Sequence, residues 1–89
     1  MIEKLINICK DIEQPERTVL YLNPSLLQDI KDSVKDKVVY HYNPVMPSHV
    51  LCGIHLKGNI YLEHDVVIEI VMVGENIDKM KVHRLNEEP

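Results

Sequence analysis

Val66-Val-Ile-Glu-Ile-Val-Met-Val73 is the stretch that decides the fold. Seven of its eight side chains are apolar and most are β-branched, which predicts a strand over 66–73 with both faces largely covered. Side chains alternate along a strand, so one face should carry Val66, Ile68, Ile70 and Met72, and the other Val67, Glu69, Val71 and Val73. Such a strand belongs inside a sheet, and something must cover each of its faces.

Two amphipathic helices precede this strand. Apolar residues recur at spacings of three and four over 2–13 and again over 24–36, which is the period of a helix. Pro15 ends the first helix, while Asn23 and Pro24 suit the N-cap and the first position of the second. Two helices can cover only one face of the sheet. The second face is therefore a candidate for self-association.

Shorter segments complete the sheet. The sequence predicts strands within 18–22, 38–42, 49–56, 59–63, 66–73 and 79–85, with a hairpin turn at Lys57-Gly58 and a frayed tail over 86–89. The strand–helix–strand segment 18–42 has enough chain for a right-handed parallel crossover. We expect a single α+β domain over 1–89, with the two amphipathic helices packed on one face of a mixed, mostly antiparallel sheet of five to six strands.

Composition and charge exclude several functions. The net charge of −4, from 14 acids and 10 bases, gives no electrostatic footprint for nucleic acid, and without Phe or Trp there are few platforms for stacking bases. No apolar stretch is long enough to span a bilayer, and the first residues lack the basic region of a signal peptide. Two cysteines, far apart in sequence, suit a reduced chain. We expect a cytoplasmic protein, of a cell or a host cell, with no nucleic-acid or membrane partner.

The five histidines raise the possibility of a metal site. His49, Cys52 and His55 are spaced by three, and all are capable zinc ligands. Residues three apart on a strand point to opposite faces, so these three should not converge. We therefore predict no metal and no other cofactor.

Glu69 is the most informative single residue. An unpaired carboxylate is costly inside an apolar strand, so it should have a partner, a raised pKa or access to a cleft. His41, His55, His83, Arg84 or a tyrosine hydroxyl are possible partners. Glu69 would then be a general base or a group that orients a ligand, or this part of the face is simply hydrated.

Signals for catalysis are weak. His64-Asp65 is typical of a turn, and none of Ser25, Ser33 and Ser48 sits in a Gly-x-Ser-x-Gly motif. The tyrosines are more informative, because Tyr buries area at interfaces while keeping a polar tip. We expect no catalytic residues, and the candidate binding residues are Tyr40, Tyr42, Tyr61, Glu69, His41 and His55.

Three hypotheses remain. The first is a small non-enzymatic binding protein that engages another protein or a small ligand, acts as a homo-oligomer such as a homodimer, and suits an accessory, regulator or inhibitor of a phage or other mobile element. The second is a small enzyme or ligand pocket built on Glu69 and nearby histidines. The third is a structural or assembly subunit whose sheet continues edge to edge between copies.

Overall fold

The computed structural model describes residues 2–36, 38–41 and 48–86, with side chains omitted for 39–41. Its helices are α1 (Ile2–Asp11) and α2 (Pro24–Ser33), with a short 3₁₀ turn at Pro15–Arg17. Its strands are β1 (Thr18–Leu22), β2 (Val38–His41), β3 (Ser48–Leu51), β4 (Ile54–Gly58), β5 (Val66–Val73) and β6 (Asn76–Arg84). The predicted fold class, a single small α+β domain with two helices and a mixed sheet, is confirmed. The predicted ends at Tyr42 and over 87–89 lie outside the described residues.

The strands form one sheet in the order β2-β3-β4-β1-β5-β6. β1 is parallel to β4, and the other neighbouring strands are antiparallel. The hairpin of β3 and β4 lies between β2 and β1, so the connection through α2 joins strands that are not neighbours. β5 lies inside the sheet between β1 and β6, as its apolar sequence predicts, and its bounds match the prediction.

The region after Ser48 differs from the prediction. A tight turn at Cys52-Gly53 divides the predicted strand 49–56 into β3 and β4, and both turn residues have positive φ, 53° and 79°. Glycine adopts such angles freely, whereas cysteine seldom does, which is why the sequence did not signal this hairpin. β4 then continues to Gly58, so the predicted turn at Lys57-Gly58 is wrong.

The predicted strand 59–63 is also wrong. This segment turns instead, with the amide of Leu62 donating to the carbonyl of Asn59 at 3.2 Å. The amide of Asn59 itself donates to the carbonyl of Leu22 at 2.8 Å, and the Asn23 side-chain amide donates to the Leu62 carbonyl at 2.8 Å. The segment is therefore held against the junction of β1 and α2 and not paired as a strand.

Both helices end earlier than the periodicity predicts. α1 ends at Asp11, where the Ile12 amide turns back to the Cys9 carbonyl at 3.3 Å ahead of Pro15. α2 ends at Ser33 because Val34 leaves helical geometry, with φ −132° and ψ 41°. Its start is as predicted: the Asn23 side chain accepts a hydrogen bond from the Ser25 amide at 2.8 Å, and Pro24 occupies the first turn.

The core lies between the helices and one face of the sheet. Its fully buried side chains come from both helices and from four strands, and they include Leu5, Leu20, Leu22, Leu26, Ile30, Leu51, Ile54, Leu56 and Val67. Alternation and register put all the strand members of this set on one face. Among the described residues, no helix has the length and apolar character that crossing a bilayer requires.

Candidate functional site

A cleft of about 520 Å³ lies between the end of α1 and the hairpin of β5 and β6. This volume falls within the roughly 300–1,000 Å³ of small-molecule sites. Apolar side chains of Ile8, Ile12 and Val71 form part of the lining. The polar lining residues are Asp11, Glu13, Gln14, Thr18, Glu69, Asp78, Lys79, Lys81 and His83.

Glu69 and His83 form the polar centre of the cleft. His83 Nε2 lies 2.9 Å from Glu69 Oε1, and the two side chains are only 13% and 19% exposed, respectively. The register of β5 and β6 pairs Glu69 with Lys81 and Val67 with His83, so the contact is diagonal across the two strands. Glu69 thus has the partner that its position in an apolar strand demands, and His83 is the one among the predicted candidates that supplies it.

The cleft is lined by charges of both signs. Asp11 ends α1 and Glu13 follows it, whereas β6 contributes the acidic Asp78 and the basic Lys79 and Lys81. Such an arrangement can hold a small molecule that bears both a positive and a negative group. The Glu69 carboxylate or the His83 imidazole could also exchange a proton with a bound ligand.

Cys9 lies in the core and is poorly suited to act as a nucleophile. It is 3% exposed, and burial, reinforced by the charges of Cys52 and Glu69, raises the pKa of its thiol to about 12. A thiol with this pKa stays protonated at neutral pH and is a poor nucleophile. Cys52 is exposed in the hairpin turn, and both cysteines are free thiols.

The face of the sheet opposite the helices is mostly apolar and has no helix on it in the described part of the chain; its polar residues include Ser48, His55, Lys57 and Arg84. We call it the open face, and its apolar residues are Val19, Tyr21, Val50, Val66, Ile68, Ile70, Met72, Ile77, Met80 and Val82. Ile77, Met80 and Val82 on β6 are 59%, 65% and 53% exposed. Single exposed apolar residues are ordinary, whereas several of them side by side on one strand are a feature that interaction sites commonly show.

A close contact between a serine and a histidine also lies on the side of the open face. Ser48 Oγ is 2.6 Å from His55 Nδ1, joining β3 to β4. Ser48 is only 5% exposed, so its hydroxyl is not presented to a substrate. The predicted single strand over 49–56 would hold Ser48 and His55 apart; the hairpin turn at Cys52-Gly53 brings the two side chains together.

The structure separates the predicted binding residues. Glu69 lies in the cleft on the helix side, whereas His55 lies on the opposite side of the sheet. Tyr61 is 90% exposed in the turn after β4, and not on a strand. Tyr40 and His41 belong to β2, where only the backbone is described, and Tyr42 lies outside the described residues. No single pocket therefore contains this set.

The histidines do not gather around a common point in the described residues. His49 pairs with Leu56 and Val50 pairs with His55, so His49 and His55 occupy opposite faces of the sheet. The part of the chain that the structure describes holds no group of three or more His, Cys, Asp or Glu residues arranged to bind a metal ion.

Comparison with protein-family models, with curated proteins and with solved structures finds no match to this chain. Its function is inferred below from its own residues.

Proposed function

We propose that this chain is a small non-enzymatic binding protein that works as a homodimer, joined through the open face, and engages another protein. The observation that carries the proposal is the exposure of Ile77, Met80 and Val82 beside the half-buried Ile68, Ile70 and Met72. A regulator or inhibitor acts by such contacts and needs no catalytic group.

The energetics favour covering this face. Full burial of a Val, Ile or Met side chain is worth roughly 1.5–3 kcal/mol, and more than half of the surface of Ile77, Met80 and Val82 is still exposed. In a symmetric dimer both copies bury the same side chains, so each contribution enters twice. The free energy gained by burying them therefore reaches the range of the roughly 4–15 kcal/mol that association costs. Two sheets stacked face to face, as in a β-sandwich, would supply the geometry.

Sedimentation equilibrium of the wild type and two variants tests the proposal. Met80→Glu/Val82→Glu places two carboxylates on the open face and should leave a folded monomer, because burying unpaired charge is prohibitive. Ile60→Glu is the control: Ile60 is an apolar residue, 74% exposed, in the turn after β4 and outside the strands that form the open face, and this variant should remain dimeric.

A monomeric wild type at about 0.1 mM, or a dimeric double variant, would contradict the proposal. Growth of the wild type beyond a dimer, abolished by the same double variant, would instead support an assembly subunit that uses this face.

The cleft supports a second candidate, a pocket for a small polar ligand. The specific observation is the partly buried contact of Glu69 with His83 in a cleft lined by charges of both signs. Native mass spectrometry of the purified protein would detect a retained small molecule. Glu69→Gln should abolish its binding while leaving the fold intact; retention of the ligand in equal amount by this variant would rule the carboxylate out as its anchor.

A further inference from the structure

The exposed edge of β6 carries a pattern that selects the kind of partner the protein can bind. β6 pairs with β5 on one side, and no described strand pairs with its other side. An edge strand presents unpaired backbone N–H and C=O groups that can accept one more strand. Here the edge is nine residues long, and its register with β5 is regular from Lys79 to Arg84.

The side chains that β6 places on the two faces of the sheet differ in polarity and charge. Met80 and Val82 lie on the open face, while Lys79 and Lys81 lie on the helix side, where both line the cleft. Both lysines are exposed, and neither makes an ion pair within the described part of the chain. Over residues 79–82, an added strand would therefore meet apolar side chains on one side and two lysines on the other, with the acidic Asp78 just before them on the cleft side.

The same pattern disfavours a second copy of β6 as the added strand. An antiparallel pair that aligns Met80 and Val82 of one copy with those of another also sets Lys79 and Lys81 opposite Lys79, Lys81 or His83 of the other copy. Like charges directly opposite each other on neighbouring strands are destabilising. The edge is thus protected against self-association and remains open to a strand of complementary charge.

The strand that already pairs with β6, β5, shows which residues suit a neighbour of β6. It sets Glu69 opposite Lys81, and Ile68 and Ile70 opposite Val82 and Met80. Val67 and Val71 of β5 lie opposite His83 and Lys79, so β6 already accepts one acidic residue, opposite Lys81, in an otherwise apolar neighbour.

We propose that β6 binds an extended segment of another protein as an added strand, and that this segment alternates apolar with acidic residues. Its apolar side chains would continue the open face beside Met80 and Val82, and its carboxylates would face Lys79 and Lys81. The inference deepens the proposed function and rests on it only in that the protein engages another protein. A dimer joined face to face leaves the edge free.

Fluorescence anisotropy with synthetic peptides tests the proposal. The probe is a labelled peptide of about eight residues that alternates valine and glutamate, and the comparison peptide has lysine in place of glutamate. The wild type should bind only the acidic peptide, and added salt should weaken the complex. Lys79→Glu/Lys81→Glu should lose about tenfold or more in affinity for the acidic peptide and gain affinity for the basic one.

Lys10→Glu/Lys35→Glu is the control, because it makes the same change in net charge on exposed residues of α1 and of the turn after α2. It should bind the acidic peptide as the wild type does. Equal loss in both double variants would reduce the effect to overall charge and overturn the proposal.

Methylated peptides test whether the backbone takes part. Two versions of the acidic peptide carry N-methyl groups on alternate amides, one version in each phase. Only one edge of an added strand faces β6, so one version should bind and the other should fail. Equal binding of both versions, or no binding of the unmethylated peptide, would overturn strand addition. Sedimentation of the same variants reports the dimer separately, so failure of the edge is distinguishable from failure of the open face.

Discussion

The two faces of the sheet are built from similar apolar residues but meet different surroundings. On the helix side, Leu20, Leu56 and Val67 are at most 1% exposed beneath α1 and α2. On the open face, Met80 and Val82 are 65% and 53% exposed. The apolar pattern of a strand therefore shows that both of its faces require cover, but not whether the cover comes from the same chain.

Truncation of a large side chain on each face should give the largest contrast. Leu20→Ala removes a fully buried side chain and should lower the free energy of unfolding by about 2–5 kcal/mol. Met80→Ala, measured at a concentration where the protein is monomeric, should change it by no more than about 0.5 kcal/mol. Urea denaturation checks both values. Equal losses would mean that the open face is packed within the monomer.

Removal of the Glu69 carboxylate, which contacts His83 on the helix side of the sheet, should give the next largest effect on stability. Glu69→Ala leaves His83, only 13% exposed, without its carboxylate, and should cost about 1–3 kcal/mol. Glu69→Gln keeps an acceptor oxygen within reach and should cost less. Thermal unfolding of the two variants at pH 7 checks the order. An equally stable Glu69→Ala would show that the contact contributes nothing to the fold.

A smaller effect is expected at the hairpin that joins β3 to β4. Cys52 has φ 53°, a left-handed conformation that costs cysteine energy and suits asparagine better. Cys52→Asn creates the Asn-Gly pair favoured in such turns and should raise the free energy of unfolding by about 0.5 kcal/mol. Cys52→Val is the opposing control and should be destabilising. A loss of stability in Cys52→Asn would contradict the turn geometry.

The smallest expected effect is a pH dependence of stability caused by His49, which lies on the helix side of the sheet. Burial, reinforced by the charge of Lys31, lowers the pKa of His49 below its ordinary value of 6.5. The unfolded chain then binds the proton more readily, so stability should fall as the pH drops below 6.5 and stay level above it. The difference between the wild type and His49→Gln, followed by urea denaturation from pH 7.5 to pH 5, isolates this contribution. A constant difference would show that His49 titrates normally in the folded protein.

The sequence predicted those parts of the fold that local chemistry determines. The bounds of β1 and β5 follow from their apolar, β-branched residues, and the start of α2 follows from Asn23 and Pro24. The hairpin at Cys52-Gly53 could not be predicted, because its conformation is imposed by strand pairing and goes against the preference of cysteine. Because this turn was not predicted, the sequence places residues 54–56 in the same strand as 49–51 and Tyr61 in the next strand. In the structure, residues 54–58 form the separate strand β4, and Tyr61 lies in the turn that follows it.

The candidate site was predictable only in part. A carboxylate inside an apolar strand required a partner, and the choice of His83 needed the register between β5 and β6. The mixed charges that line the cleft depend on how α1 lies against the β5–β6 hairpin, which no local pattern encodes. The contact between Ser48 and His55 was missed for the same reason, since it depends on the pairing of β3 with β4.

The most direct test of the central claim is an isotope-filtered nuclear Overhauser experiment on a mixture of labelled and unlabelled protein, which detects only contacts between copies. A dimer joined through the open face should give intermolecular signals at the methyl groups of Ile70, Met72, Met80 and Val82, and none at those of Leu20 and Leu56. An absence of intermolecular signals at millimolar concentration, or signals confined to the helices, would contradict the claim that a second copy covers the open face.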